Sequence, residues 1–225
     1  VTATDRRIDG PADARATLIL AHGAGAGMDH PFMERIATGL AAAGWRVARF
    51  EFPYMAKARE PGGKRGRPDP PAVLMATWRR VIEEVRTEAR GDTCRLAIGG
   101  KSMGGRIASM VADEMGVDGL VCLGYPFHPP GKPEKLRTAH LEALRTPALI
   151  VQGTRDPFGT QEDVARYGLS PSIRFHWSED GDHSLKPRKS SGRTEAKNLD
   201  ESIAAISRFL AGRVAVDPEP SGERP

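Results

Sequence analysis

Cysteine is scarce in this chain of 225 residues, with only two, and aromatic residues make up just 6%. Two thiols cannot build the disulfide framework that holds small secreted domains together. Both Cys94 and Cys122 stand in apolar runs that read as central strands, where cysteine behaves as a small buried hydrophobe, so no bridge between them is expected. Long apolar runs are missing as well: nothing approaches the roughly 18 residues that a membrane helix requires. Val1 to Arg15 is polar and charged and lacks the apolar core of a secretory signal, so the expected setting is cytoplasmic, away from membranes. Charge of one sign is not concentrated either. The 33 basic and 29 acidic residues leave a formal net charge of +4, and no RNA- or DNA-binding signature accompanies them, so no nucleic acid partner is expected. The six His and two Cys lack metal-ligand spacing, and neither a metal nor a cofactor is expected.

What is present is the composition of an ordinary globular protein, 39% hydrophobic and 28% charged, at a length that suits one domain. Residues 1–216 read as that domain, and the Pro- and Glu-containing stretch 217–225 as a disordered tail. Thr17 to Ala21 is an apolar run ending in His22-Gly23-Ala24-Gly25-Ala26-Gly27, and Phe32 to Ala43 follows with helical spacing. Trp45 to Phe52 reads as a strand, Pro70 to Arg90 as a helix, and Cys94 to Ile98 as a strand. Arg106 to Met115 reads as a helix, Gly119 to Leu123 as a strand, Glu134 to Leu144 as a helix and Ala148 to Val151 as a strand. Gln161 to Tyr167 reads as a short helix, Ile173 to Trp177 as a strand and Ala196 to Leu210 as the last helix. Between them, Tyr54 to Pro71 is rich in Gly, Pro and basic residues and reads as a mobile excursion. Alternation of this kind implies an α/β fold, with a mostly parallel central sheet and helices on both faces. Loops after the strands then share one rim, where sites in such sheets form.

Gly100-Lys101-Ser102-Met103-Gly104 lies between an apolar strand and a helix. A serine at the apex of so tight a reversal is held in a strained backbone with its hydroxyl exposed, and the next N–H, that of Met103, points from a helix start toward any developing oxyanion. Such a serine needs a histidine to take its proton and a carboxylate to orient that histidine, in the chain order Ser, acid, His. Asp156 in Gly153-Thr154-Arg155-Asp156-Pro157-Phe158-Gly159 and His183 in Asp180-Gly181-Asp182-His183 fall on the next suitable strand ends in that order. Asp180 and Asp182 are rival acids, but local Asx-turn bonding is the better reading of both. The spacing of Gly23, Gly25 and Gly27 fits neither nucleotide-binding pattern, so the loop reads as the second half of an oxyanion hole, with Ala24 N–H as donor and His22 as a structural residue.

With those residues in view, the chain resembles small α/β-hydrolases of the dienelactone-hydrolase-like type. More narrowly, it resembles compact hydrolase-like proteins sharing a His-Gly-Ala-Gly loop (His22 to Gly25), a Gly-Lys-Ser-Met-Gly-Gly-Arg elbow (Gly100 to Arg106), a Pro-Pro-Gly-Lys-Pro-Glu segment (Pro129 to Glu134) and an Asp-Pro-Phe-Gly acid loop (Asp156 to Gly159). The resemblance implies an α/β-hydrolase fold and Ser102, Asp156 and His183 as nucleophile, acid and base. Two departures from larger members stand out: the N-terminal segment is too short for the usual pair of leading strands, and the Tyr125 to Thr146 connection is too short for a full lid domain. The expected activity is hydrolysis of a small-molecule ester through an acyl-enzyme. Lys57, Arg59, Lys64, Arg65 and Arg67 in one loop, with Lys186, Arg188, Lys189 and Arg193 in another, suggest an anionic ester or lactone. Acyl transfer to another acceptor, and a non-catalytic interaction module, remain alternatives at this stage, and oligomeric state is not legible.

Overall fold

Residues 4–64, 66–88 and 95–214 are described by the structure, a computed structural model. Seven strands form one sheet: β1 (Arg6–Asp9), β2 (Ala16–Ala21), β3 (Arg46–Phe50), β4 (Arg95–Lys101), β5 (Gly119–Leu123), β6 (Ala148–Gly153) and β7 (Ile173–Ser178). Their order across the sheet is β1-β3-β2-β4-β5-β6-β7, with β1 antiparallel to β3 and every other pair parallel. The α/β architecture expected from alternation is therefore the one observed. Strands β2, β5 and β6 are buried along their whole length, which is why they read as continuous apolar runs rather than alternating ones.

Six helices flank the sheet among the described residues: α1 (Pro31–Ala42), α2 (Pro53–Arg59), α3 (Pro71–Glu88), α4 (Met103–Met115), α5 (Gln161–Val164) and α6 (Glu195–Val214). The strand period of two divides the core. Leu18, Leu20, Val121 and Val151 face α1 and α6, where they meet Ile36, Leu40 and Ile206. Ile19, Ile98, Cys122 and Ile150 face α3 and α4, where they meet Trp78, Ile82 and Ile107. Each large apolar side chain fully removed from water contributes about 1.5–3 kcal/mol, so the two layers hold the sheet from both sides. Cys122 has a free thiol in the second layer, where burial pushes its pKa up.

Three sequence expectations need revision, while the short N-terminal segment keeps to the reduced leading strands expected of it and supplies a single one, β1, of sequence Arg-Arg-Ile-Asp. Its pairing rests on backbone bonds to β3 and on the Arg49–Asp9 ion pair at 2.9 Å. Charged residues are what an exposed edge carries, and they hide it from a search for apolar runs. The helix expected over 134–144 is reduced to a single 3-10 turn, Ala139–Leu141. Tertiary bonds outcompete helix propensity there: Arg137 N–H goes to Phe127 O at 2.8 Å, Tyr125 Oη donates to Arg137 O at 3.1 Å, and Thr146 N–H goes to Asp113 at 2.7 Å. The helix expected over 161–167 stops at Val164, after a capping box between Thr160 and Asp163. The excursion expected over 54–71 opens as α2, with Pro53 in its first turn and Tyr54 and Met55 buried. Tyr54 N–H bonded to Asp69 at 2.9 Å ties the excursion's far end to its start. Cys94, Arg65 and the tail 217–225 lie outside the described residues.

Candidate active site

The chain passes from β2 outward to β3 and returns to the other side of β2 for β4, so the order reverses at β2 and a crevice opens beyond its carboxyl end. Both Gly-rich segments meet there. Ser102 sits between the last residue of β4 and the first of α4 with φ 51° and ψ −115°, a left-handed conformation costing about 1–3 kcal/mol for a side chain other than glycine. The turn is over-determined by its neighbours: Ser102 N–H donates to Leu123 O at 2.9 Å, and Ser102 O accepts from Arg106 N–H at 3.0 Å. Gly104 is required by close approach, since a Cβ there would lie 2.5 Å from the main-chain oxygen of His22.

Ser102, Asp156 and His183 come together in one hydrogen-bonded chain. His183 Nε2 lies 2.9 Å from Ser102 Oγ, and His183 Nδ1 lies 2.8 Å from Asp156 Oδ2. A carboxylate only accepts, so Nδ1 carries the proton and Nε2 presents its lone pair to the serine hydroxyl. Asp156 is fully buried and is held by two further donors, Gln152 Nε2 at 2.9 Å and Phe158 N–H at 2.9 Å. Gln152 is itself fixed, since its carboxamide accepts from Tyr125 N–H at 2.7 Å and donates to Tyr125 O at 3.1 Å. The Phe158 ring leans on the imidazole, with centroids 4.2 Å apart. Sequence reasoning overlooked Gln152; its only signal was one polar residue near the end of an apolar strand.

The two rival acids have other partners. Asp182 accepts from Ser184 N–H at 2.7 Å and Lys186 N–H at 3.0 Å, the Asx-type bonding expected of it. Asp180 corrects the expectation: it pairs with Arg188 at 2.5 Å and Arg155 at 2.9 Å. Hydrogen bonds from Arg188 hold its pKa down at about 2.

On the opposite wall runs the loop after β2. A Cβ on Gly23 would lie 3.6 Å from Ser102 Cβ, so this loop borders the serine directly, with Ala24 next along it. Among the described residues, no acceptor is bonded to the backbone N–H of Ala24 or of Met103. His22 is buried beneath the loop. Its Nε2 accepts Phe52 N–H at 3.1 Å, which leaves Nδ1 as the donor to Gly23 O at 2.7 Å. Burial lowers the His22 pKa, and burial does the same for His140 and His176. Above pH 6.5 neither folded nor unfolded chain protonates these rings. As pH falls through that value the unfolded chain takes up protons that the folded one refuses, so stability is lost. Tm followed from pH 7.5 to 5 should therefore decline, before carboxylates begin to titrate. The slope should lessen in His22→Asn, which keeps a donor and an acceptor but gains no charge; an unchanged slope would exclude His22 as a contributor.

Several of the basic residues expected at the rim are already paired. Arg59 bonds Glu51 at 2.6 Å and Asp29 at 2.7 Å, Lys186 pairs with Glu195 at 3.7 Å, Arg188 with Asp180, and Arg193 with Glu201. Among the described residues no cluster of His, Cys, Asp and Glu could hold a metal, and no helix is long and apolar enough to cross a membrane.

A family model described as the alpha/beta hydrolase domain matches residues 14–211. Among solved structures, a serine hydrolase without a lid from Xanthomonas campestris superposes with a TM-score of 0.70 at 20% identity, over 95% of this chain and 91% of that one. An alpha-beta serine hydrolase homologue from Coxiella burnetii gives 0.69 at 22% identity, over 91% and 90%. The monoacylglycerol lipase of Paleococcus ferrophilus gives 0.70 at 16% identity, over 94% of this chain and all of the other.

Proposed function

The chain belongs to the α/β-hydrolase family, and from that premise we propose that it is a serine esterase acting on a small ester or lactone, in the manner of dienelactone-hydrolase-like enzymes. His183 Nε2 takes the proton of Ser102 Oγ as that oxygen attacks the acyl carbonyl, and Asp156 holds the imidazole in the productive tautomer and stabilises the imidazolium that forms. The oxyanion rests on the N–H groups of Ala24 and Met103. His183 then returns the proton to the departing alkoxide, and water, activated by the same imidazole, releases the acid from Ser102.

The observation that carries this reading is the single imidazole bonded at 2.9 Å to a serine hydroxyl and at 2.8 Å to a carboxylate. That serine also adopts φ 51°, a strain that a mere turn does not need. With only a 3-10 turn between β5 and β6, the site resembles the lidless arrangement of the Xanthomonas hydrolase. Testing begins with purified protein and p-nitrophenyl esters of graded length and charge, alongside labelling by a fluorophosphonate probe. Turnover with labelling at Ser102 supports the esterase; labelling without release to water favours acyl transfer; neither leaves the non-catalytic module. Because Arg59, Lys186, Arg188 and Arg193 are already paired, steering of anions should be weak. Raising salt is expected to change kcat/KM for anionic and neutral esters alike, and a selective fall for the anionic ester would restore a role for the basic rim.

A further inference from the structure

Lys101 is the elbow residue immediately before Ser102, and nothing in the mechanism above uses it. Its side chain runs inward rather than to solvent. The ammonium donates to the main-chain oxygen of His183 and lies 5.5 Å from the centroid of the Phe32 ring on α1. Gly124, at φ 65°, borders the same spot: a Cβ there would lie 2.7 Å from His183 O, 2.8 Å from Lys101 Nζ and 3.3 Å from His183 Nδ1. The ammonium and the imidazole are thus near neighbours on one side of a gap that only glycine leaves open. Among the described residues, no carboxylate comes within ion-pair distance of Lys101. The two carboxylates that act on it, Asp156 and Asp182, are already engaged, the first by His183 and Gln152 and the second by Ser184 and Lys186.

We propose that Lys101 is a positioning residue for His183: its buried ammonium grips the main chain that carries the imidazole and so holds the ring in line with Ser102 Oγ. The inference rests on the esterase reading for its functional meaning, but its physical content does not. A catalytic base has to be held within a fraction of an ångström of its line to the hydroxyl, and one charged donor anchored on the residue's own carbonyl limits the drift of the loop that carries it. Burial of the ammonium lowers its own pKa to about 8, so the cation persists through neutral pH and fades above it.

The test is proton NMR of the His183 Nδ1–H, which Asp156 holds, in the full chain at one pH, with ester kinetics beside it. In Lys101→Met that resonance should shift and broaden as the ring loosens, and kcat should fall about tenfold or more while KM changes little. In Lys101→Gln, which keeps a donor for the His183 carbonyl, part of the lost kcat should return. Lys101→Leu stands in if the methionine variant does not fold. An unchanged resonance with unchanged kcat in a folded variant that lacks the donor would overturn the inference, as would an equal loss of kcat and rise in KM. Failure of the wild type to hydrolyse esters would count against the esterase alone, because the resonance reads the ring without turnover.

Discussion

Ser102→Ala is expected to lower kcat by about a millionfold, the scale on which comparable serine enzymes lose rate without their nucleophile. The fold should be spared. The hydroxyl is bonded only to His183 among the described residues, and the elbow is held by the backbone bonds of Ser102 to Leu123 and Arg106, which alanine keeps. The backbone strain at φ 51° is the same for both side chains, since each carries a Cβ. Tm should therefore stay near that of the wild type while turnover and fluorophosphonate labelling vanish together. Labelling that persists in the variant would move the nucleophile elsewhere and remove the basis of the proposed chemistry.

Asp156→Asn should cost about ten-thousandfold in kcat, with substrate binding little changed. The carboxylate accepts three bonds, from His183, Gln152 and Phe158. An amide in its place offers one oxygen and one NH2 group. Gln152 and His183 share one carboxylate oxygen, Oδ2, while the fixed main-chain N–H of Phe158 donates to the other, Oδ1. The amide oxygen therefore stays toward Phe158, Gln152 keeps Tyr125 O and Gly159 O as acceptors, and the NH2 group faces His183 Nδ1. That nitrogen must then accept, and the ring proton moves to Nε2, facing the serine with no lone pair to offer. Nitrogen chemical shifts of His183 would report the exchange of tautomers directly. A variant that keeps the wild-type tautomer and more than about a tenth of its rate would show that Asp156 does not orient the base.

Most of the fold was legible because the buried strands announce themselves. Gly119–Leu123 was read with its observed ends, and β2, β6 and β7 to within two residues, since an apolar run flanked by Gly, Pro or polar residues leaves little choice. Strand β1 was not legible, being four residues with two arginines and an aspartate whose pairing resides in the main chain. The segment over 134–144 misled in the opposite direction. Its Glu, Lys, Leu and Ala residues favour a helix, yet bonds to Phe127, Tyr125 and Asp113 decide its path, and bonds that distant in sequence leave no local pattern. In the site, the order and placement of Ser102, Asp156 and His183 could be inferred because each follows a recognisable strand. Lys101 and Gln152 could not be given a role. Lysine beside a nucleophile reads as a solvated charge until the chain is folded and its ammonium is found under His183. Likewise, a glutamine ending a strand is ordinary until its two ends are seen gripping Tyr125.

That double grip has a consequence for how this architecture can diversify. Gln152 joins the start of the β5–β6 connection to the acid loop through one rigid planar group, so any drift of Tyr125 is transmitted to the carboxylate behind the imidazole. Beyond this anchor the connection is exposed over residues 130–136, so a longer cap rooted there would leave the bonds of Gln152 to Tyr125 and Asp156 untouched.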